Sequence, residues 1–202
     1  FTIAASGAIR TTADFGGTGY VGLQYAHGAT MSLVNHGLIA SDTSGRTMNI
    51  QAPSGSTNEG NYRASGGGIV TLGATWTSAS GTLTVDGGTL NLGSTFTAPN
   101  IGEIVRNAGT INLTGTLNNA GGTLELDETT GSFVLVGGTI VGGTVTMSGG
   151  ATLIASTNSN SRLTGVTVNG DIVLAVANAW LRVRDGLTLN GSAILSGSDA
   201  RI

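Results

Sequence analysis

Residues 145–149 read VTMSG, residues 166–170 read VTVNG and residues 187–191 read LTLNG, so one five-residue pattern recurs at a constant spacing. Each copy begins with a polar residue between two apolar ones, which is typical of a short β-strand with alternating faces. The polar residue and glycine that follow indicate a tight turn, because Ser and Asn side chains bond nearby backbone and glycine accepts a positive φ. The pattern therefore predicts a strand and a corner that recur once per solenoid turn.

Three columns of hydrophobic residues extend this period along the chain. They are Ile50, Leu72, Leu92, Leu113, Leu135, Leu153, Leu174 and Leu195; Val85, Val105, Leu126, Met147, Val168 and Leu189; and Trp76, Phe96, Leu117, Ile140, Leu163, Leu181 and Ile202. Self-similarity at such a period is typical of stacked repeats that bury their apolar faces against their neighbours. Three short strands in about 21 residues predict an all-β, single-stranded parallel β-helix. A β-sandwich or barrel is the alternative, since short strands with turns also occur there.

Composition narrows the class of protein further. Gly accounts for 35 of 202 residues and Pro for 2, without the Gly-X-Y period of collagen. Gly and β-branched residues stand where an α-solenoid would need helix formers. The net charge is −3, with 8 Arg and no Lys spread singly, so we expect no nucleic-acid partner. No run of 18 apolar residues is present, so we expect no membrane insertion.

We expect residues 1–202 to form one parallel β-helix segment. Residues 1–66 are less regular, and the polar stretch 51–67, QAPSGSTNEGNYRASGG, predicts a loop that projects from a corner. Residues 67–202 predict regular coils. Residues 187–202 begin a coil and stop without a polar cap, so we expect the segment to be part of a longer chain.

The candidate surface or ligand residues are two acids and two tryptophans. Glu125 and Asp127 are two residues apart on a predicted strand, and a carboxylate pair at a suitable separation could serve glycoside hydrolysis. Asp127, however, occupies the corner position, which explains it without catalysis, and no catalytic residue is predicted. Trp76 and Trp180 would stack on sugar rings if they point outward; their register with other hydrophobic residues favours the core.

The remaining chemistry-bearing residues indicate no cofactor or metal site. His27 and His36 have no second His or Cys at metal-ligand spacing, and His36 lies in a predicted corner, Asn35-His36-Gly37. Thr84, Thr146, Thr167 and Thr188 share an outward strand position. Such a threonine row could order water as in ice-binding solenoids, but Thr is also simply a good exposed strand residue.

Residues 34–40 (VNHGLIA), residues 107–113 (NAGTINL) and the following TGTLNNAGGTLEL resemble the N-x-G-x-[LI] repeats of filamentous-haemagglutinin-like exoproteins. Similar repeats fill the passenger regions of autotransporters. The resemblance implies a right-handed parallel β-helix, export across the outer membrane, and a role in adhesion or surface structure. It brings no catalytic residues with it.

These observations lead to three hypotheses for function. The first is a non-catalytic shaft or fibre segment on the bacterial cell surface or outside the cell, with a host or environmental glycan or another surface receptor as partner. The second is a carbohydrate-binding or polysaccharide-degrading β-helix, similar to tailspikes or lyases. The third is a filament subunit that associates with copies of itself end to end or laterally.

Overall fold

The computed structural model describes residues 1–14, 17–22 and 30–202. It confirms the predicted class: the chain is an all-β parallel solenoid of about 8 turns with about 21 residues per coil. Two compact units, Phe1–Ile111 and Asn112–Ile202, divide the chain. That residues 1–202 act as one body therefore stays a prediction, and each unit is described separately.

Unit 1 contains one short helix and most of the first thirteen strands. They are β1 (Thr2–Ile3), β2 (Ala8–Arg10), β3 (Thr18–Val21), β4 (Leu33–Asn35), β5 (Leu38–Ser41), β6 (Thr47–Ile50), β7 (Ser56–Asn58), β8 (Asn61–Ser65), β9 (Ile69–Leu72), β10 (Trp76–Thr77), β11 (Thr82–Leu92), β12 (Thr95–Phe96), α1 (Ala98–Ile101) and β13 (Glu103–Leu113). The last two residues of β13 belong to unit 2. In the described residues, no helix is long and apolar enough to cross a membrane.

The strands of unit 1 form three parallel ladders, one for each strand of a coil. The ladders are β1-β4-β7-β10, β2-β5-β8-β11 and β3-β6-β9-β11. The long strand β11 takes part in two of them, and a bulge at Asp86 and Gly87 separates its two halves. The predicted three strands per coil are therefore present, although a corner can be reduced to a bulge.

The polar stretch 51–67 is not a projecting loop, so this prediction was wrong. It contains β7 and β8, which add to their ladders in register with β4 and β5. The polar residues of this stretch do not all face solvent. Asn58 lies inside the solenoid, where its amide oxygen accepts a hydrogen bond from Asn35 and its amide nitrogen donates one to Ser78 Oγ, both at 2.8 Å. These three side chains are fully buried, and mutual hydrogen bonds make that tolerable.

Unit 2 continues with ten strands. They are β14 (Thr116–Asn118), β15 (Thr123–Leu126), β16 (Phe133–Leu135), β17 (Thr139–Val141), β18 (Thr144–Met147), β19 (Leu153–Ala155), β20 (Arg162–Asn169), β21 (Ile172–Leu174), β22 (Arg182–Asn190) and β23 (Ala193–Leu195). Three parallel ladders again run through the coils: β14-β17-β20-β22, β15-β18-β20-β22 and β16-β19-β21-β23. Leucine, isoleucine and valine side chains from all three ladders fill the core.

The register in unit 2 corrects all three predicted columns, and in the third one Leu163 pairs with Val183 rather than with Leu181. Leu153 pairs with Phe133, and Ala155 is the partner of Leu135. Val145 pairs with Val168 rather than with Val166, so the match of 145–149 to 166–170 was wrong by two positions. A two-residue slip keeps every side chain on its own face, because the strand period is 2. The copies at 166–170 and 187–191 are aligned as predicted.

Candidate functional site

Asp127 closes the corner that follows β15. Its Oδ1 accepts hydrogen bonds from the backbone N–H groups of Thr129 and Thr130, both at 2.9 Å, and from the Thr130 hydroxyl at 3.2 Å. The Thr130 backbone bond is the main reason that the pKa of Asp127 is lowered, because these donors favour the charged carboxylate. The structure thus confirms the corner role for this residue.

Glu125 lies on the outward face of β15, between the buried Leu124 and Leu126. It is exposed and in register with Thr146 of the next coil. The structure therefore places the predicted acidic pair in two different settings. One carboxylate is directed outward, and the other is bound to its own turn.

The two candidate tryptophans have opposite positions. Trp76 is 3% exposed, its ring lies 4.8 Å from that of Phe96, and its indole N–H donates to the Gly93 carbonyl at 2.9 Å. The core interpretation is confirmed for Trp76, so it is not a surface ligand residue. Trp180 lies between the buried Ala179 and Leu181, so alternation turns it outward and leaves it half-exposed. The core interpretation was wrong for Trp180.

Trp180 belongs to a cluster that the sequence pattern had not revealed. We call Arg162, Trp180, Arg182, Arg184 and Arg201 the arginine patch. The guanidinium carbons of Arg182 and Arg201 lie over the Trp180 ring, 5.6 and 5.3 Å from its centroid. These arginines are spread along the sequence, but their spacing is close to the length of one coil, so the repeat period could have identified the cluster.

A second pair of arginines, in unit 1, shows a different arrangement. Arg10 and Arg63 both form ion pairs with the carboxylate of Asp42, and Arg10 Nε donates to it at 2.6 Å. Asp42 also accepts from the Thr11 hydroxyl at 3.3 Å. The carboxylate lies between the two guanidinium groups and offsets one of their two charges, so the chemistry of this cluster is consistent with a structural role.

A shallow groove of about 410 Å³ lies beside the ladder β1-β4-β7-β10. Hydroxyl side chains contribute much of its lining, among them Ser32, Ser54, Thr57, Thr75, Thr77 and Thr95. Next to this ladder, in the corner after β4, His36 Nδ1 lies 3.1 Å from Glu59 Oε2. Hydroxyl groups suit hydrogen bonding to sugars, which makes the groove a secondary candidate for a binding surface.

The remaining predictions concern histidine, metal and threonine. His36 lies in the predicted corner, and its side chain is partly exposed. His27 lies outside the described residues. In the part of the chain that the structure describes, no group of three His, Cys, Asp or Glu side chains could hold a metal ion.

The predicted threonine row is present in part: Thr167 and Thr188 pair as expected, but Thr144 rather than Thr146 precedes them. In unit 2, Thr123 pairs with Thr144, Thr144 with Thr167, and Thr167 with Thr188. The parallel outward row beside it reads Glu125, Thr146, Asn169 and Asn190, so the surface is mixed rather than uniform. Comparison with protein families, with curated proteins and with solved structures gives no match for this chain.

Proposed function

We propose that this chain is a non-catalytic structural or adhesive segment of a bacterial extracellular protein, displayed on the cell surface or as part of a fibre. The observation that carries the proposal is the stacking of coils in both units, with strands of successive coils paired in parallel ladders. Because every coil buries its apolar face against its neighbours, each further repeat in the sequence extends the same regular scaffold. A scaffold of this kind suits a shaft.

The outward surface supports the adhesive part of the proposal. Charged residues make up only 9% of the chain, and Thr, Asn and Ser occupy many outward strand positions in register. Rows of hydroxyl and amide groups present hydrogen-bond donors and acceptors along the coils. A host or environmental glycan, or another surface receptor, is the partner that such a surface fits.

The repeats that resemble filamentous-haemagglutinin-like exoproteins support the extracellular, cell-surface location. The chain contains no cysteine, so stability outside the cell would come from the backbone ladders and the apolar core rather than from disulfides. Homotypic association, end to end or lateral, is a further proposed property. Electron microscopy at high protein concentration tests it, and monodisperse particles would count against it.

The central test compares binding with turnover on a panel of polysaccharides. We expect retention on one or more immobilised glycans and no release of reducing sugar. E125Q and D127N serve as matched variants, since each removes one charge with little change in shape. Specific turnover that either substitution abolishes would overturn the non-catalytic proposal.

The groove in unit 1 favours a second candidate, a carbohydrate-binding β-helix. Its hydroxyl lining and its sheet floor are suited to a neutral oligosaccharide. T57V and T77V would remove hydroxyl groups with little change in side-chain volume, so we expect them to weaken the binding of neutral glycans to this groove. Equal binding by the variants would exclude the groove as the contact surface.

A further inference from the structure

We propose that the arginine patch binds a linear acidic polysaccharide through its carboxylate or sulfate groups. The proposal names a ligand class for the adhesive part of the proposed function and rests on it. It also assigns a role to four of the eight arginines in a chain whose net charge is −3.

Backbone register brings the patch together. Arg162 pairs with Arg182 in the next coil, and Trp180 forms a parallel bridge with Arg201. Paired residues of neighbouring parallel strands lie about 4.8 Å apart with their side chains on the same face. Arg184 follows Arg182 by two residues and therefore shares its outward face.

Leu163 shows which face this is. It is fully buried and pairs with Val183, which stands between the two arginines of β22 and is 37% exposed in the last coil of unit 2. Because Val183 shares the inward face of Leu163, Arg182 and Arg184 lie on the outward face, since side chains alternate along a strand. The guanidinium groups thus extend in two directions, across the coils and along the strand.

The charges of the patch are not neutralised within the described chain. None of the ion pairs among the described residues involves its four arginines. Like charges that face each other on adjacent strands are destabilising, so this arrangement favours an anion that bridges them. The Arg10 and Arg63 pair shows the alternative, since Asp42 lies between those two.

Trp180 holds two of the guanidinium groups in place. A cation over an indole face is attracted by the ring quadrupole, by about 0.5–1 kcal/mol at an exposed site. The contacts at 5.6 and 5.3 Å therefore restrict Arg182 and Arg201 before any ligand arrives. Preorganisation of this kind lowers the entropic cost of binding.

The residues around the patch favour an acidic polysaccharide over other polyanions such as DNA. The outward row that leads to Arg162 and Arg182 consists of Thr116 and Thr139, whose hydroxyls suit sugar hydroxyls. Guanidinium forks match planar carboxylates and also bind sulfate oxygens. Duplex DNA carries one charge per about 1.7 Å of axis. Exposed Asp185 and Asp199 lie within two residues of Arg184 and Arg201 and oppose a ligand of such charge density, whereas a polyuronate spaces its carboxylates by whole sugars.

The test measures binding of the full chain to polygalacturonate, dextran sulfate, neutral dextran and a single-stranded oligonucleotide. We expect one or both acidic polysaccharides to bind, with affinity that falls as salt rises, and dextran not to bind. R182Q/R201Q should weaken binding at least about tenfold, the effect of roughly one lost charge-assisted hydrogen bond. R182K/R201K keeps the positive charges but loses the planar guanidinium groups, so its affinity should lie between those of the wild type and R182Q/R201Q.

Two controls separate the patch from general charge and from misfolding. R106Q removes one arginine from unit 1, outside the patch, and should leave affinity unchanged. Tryptophan fluorescence gives a second measurement: ligand should change the emission of the wild type but not of W180F, whose remaining indole is the buried Trp76. Unchanged circular dichroism verifies that each variant is folded.

Three outcomes would overturn the inference: equal affinity for wild type and R182Q/R201Q, equal binding of neutral dextran, or tighter binding of the oligonucleotide than of either polysaccharide. The first two leave the proposed function intact if the protein still adheres to other glycans. Turnover of a bound acidic polysaccharide would have the opposite meaning. It would overturn the non-catalytic proposal and keep the anion site.

Discussion

Tyr62 and Asp127 show how the setting of a single residue in a coil decides its chemistry. Tyr62 lies fully inside the solenoid, and burial raises its pKa from 10.0 to about 12. Asp127 lies in a corner, and hydrogen bonds from Thr130 and Thr129 lower its pKa. The two shifts have opposite directions because burial disfavours a charged group and donors favour it.

For Tyr62 we expect stability to fall between about pH 10 and pH 12. An unfolded tyrosine loses its proton near 10.0, whereas the buried one keeps it until about 12, so the stabilisation is complete below pH 10 and is lost progressively as the pH rises to about 12. Two pH units correspond to about 3 kcal/mol. Urea unfolding at alkaline pH measures the effect, and Y62F is the control. A loss of equal size in Y62F would show that another group is responsible.

For Asp127 we expect D127A to lower the melting temperature at pH 7. Its folded pKa lies below the unfolded value of 3.8, so the stabilisation is present above pH 3.8 and is lost as pH falls through the lowered pKa. The difference in melting temperature between wild type and D127A should therefore become smaller in acid. D127N keeps an oxygen acceptor, so its melting temperature should fall less than that of D127A. A difference independent of pH would mean that the charge is unimportant at this corner.

At the scale of elements, corners and bulges set the register of the strands. The corner between β17 and β18 passes over the corner that follows β14, where the Asn119 amide donates to the Thr144 carbonyl at 2.8 Å. Gly143 has φ +67, and a Cβ there would overlap the Asn119 carbonyl oxygen. Glycine at this position thus permits both the turn and the close approach of two coils.

We expect G143A to be far more destabilising than G121A. Gly121 has a similar φ, +72, but open space around the position of a Cβ. G121A should therefore cost only the left-handed strain of about 1–2 kcal/mol, whereas G143A should add overlap and cost about 3 kcal/mol or more. Denaturation midpoints of the two variants give the comparison. Equal losses of stability in the two variants would show that the space between the two coils at Gly143 can accommodate a methyl group.

Bulges also explain why the strand period was only partly predictable. In β20 the register shifts between Thr164 and Val166, at Gly165 with φ +61. Leu163 and Val166, on either side of it, are both buried although they are three residues apart, so the alternation of faces is interrupted there. A strict two-residue alternation therefore assigns the residues on one side of such a bulge to the wrong face.

At the scale of the whole molecule, the apolar core and the ladders are the main source of stability, and surface charge contributes little. Only 9% of the residues are charged, and the ion pairs of the described residues lie in unit 1. Exposed ion pairs contribute about 0–1 kcal/mol each. The arginine patch is different, because its charges remain available for a ligand.

We therefore expect added salt to have little effect on the melting temperature and a large effect on the affinity for acidic polysaccharides. Between low and high sodium chloride, the melting temperature should change by no more than about 2–4 °C, which corresponds to about 1 kcal/mol in a chain of this size. Over the same range, affinity for polygalacturonate or dextran sulfate should fall steeply. Calorimetry and binding isotherms measure the two effects. A large salt-induced shift in melting temperature would show that ion pairs carry more of the stability than the structure indicates.

The sequence by itself determined the fold class, the approximate period and the corner role of Asp127. These follow from local rules: side chains alternate along a strand, and glycine and Asx residues mark turns. The tertiary structure alone decided the register, the strands within 51–67, the outward position of Trp180 and the arginine patch. These depend on which residues lie one coil apart, and bulges and corners of variable length change that interval by amounts that the approximate hydrophobic period does not resolve.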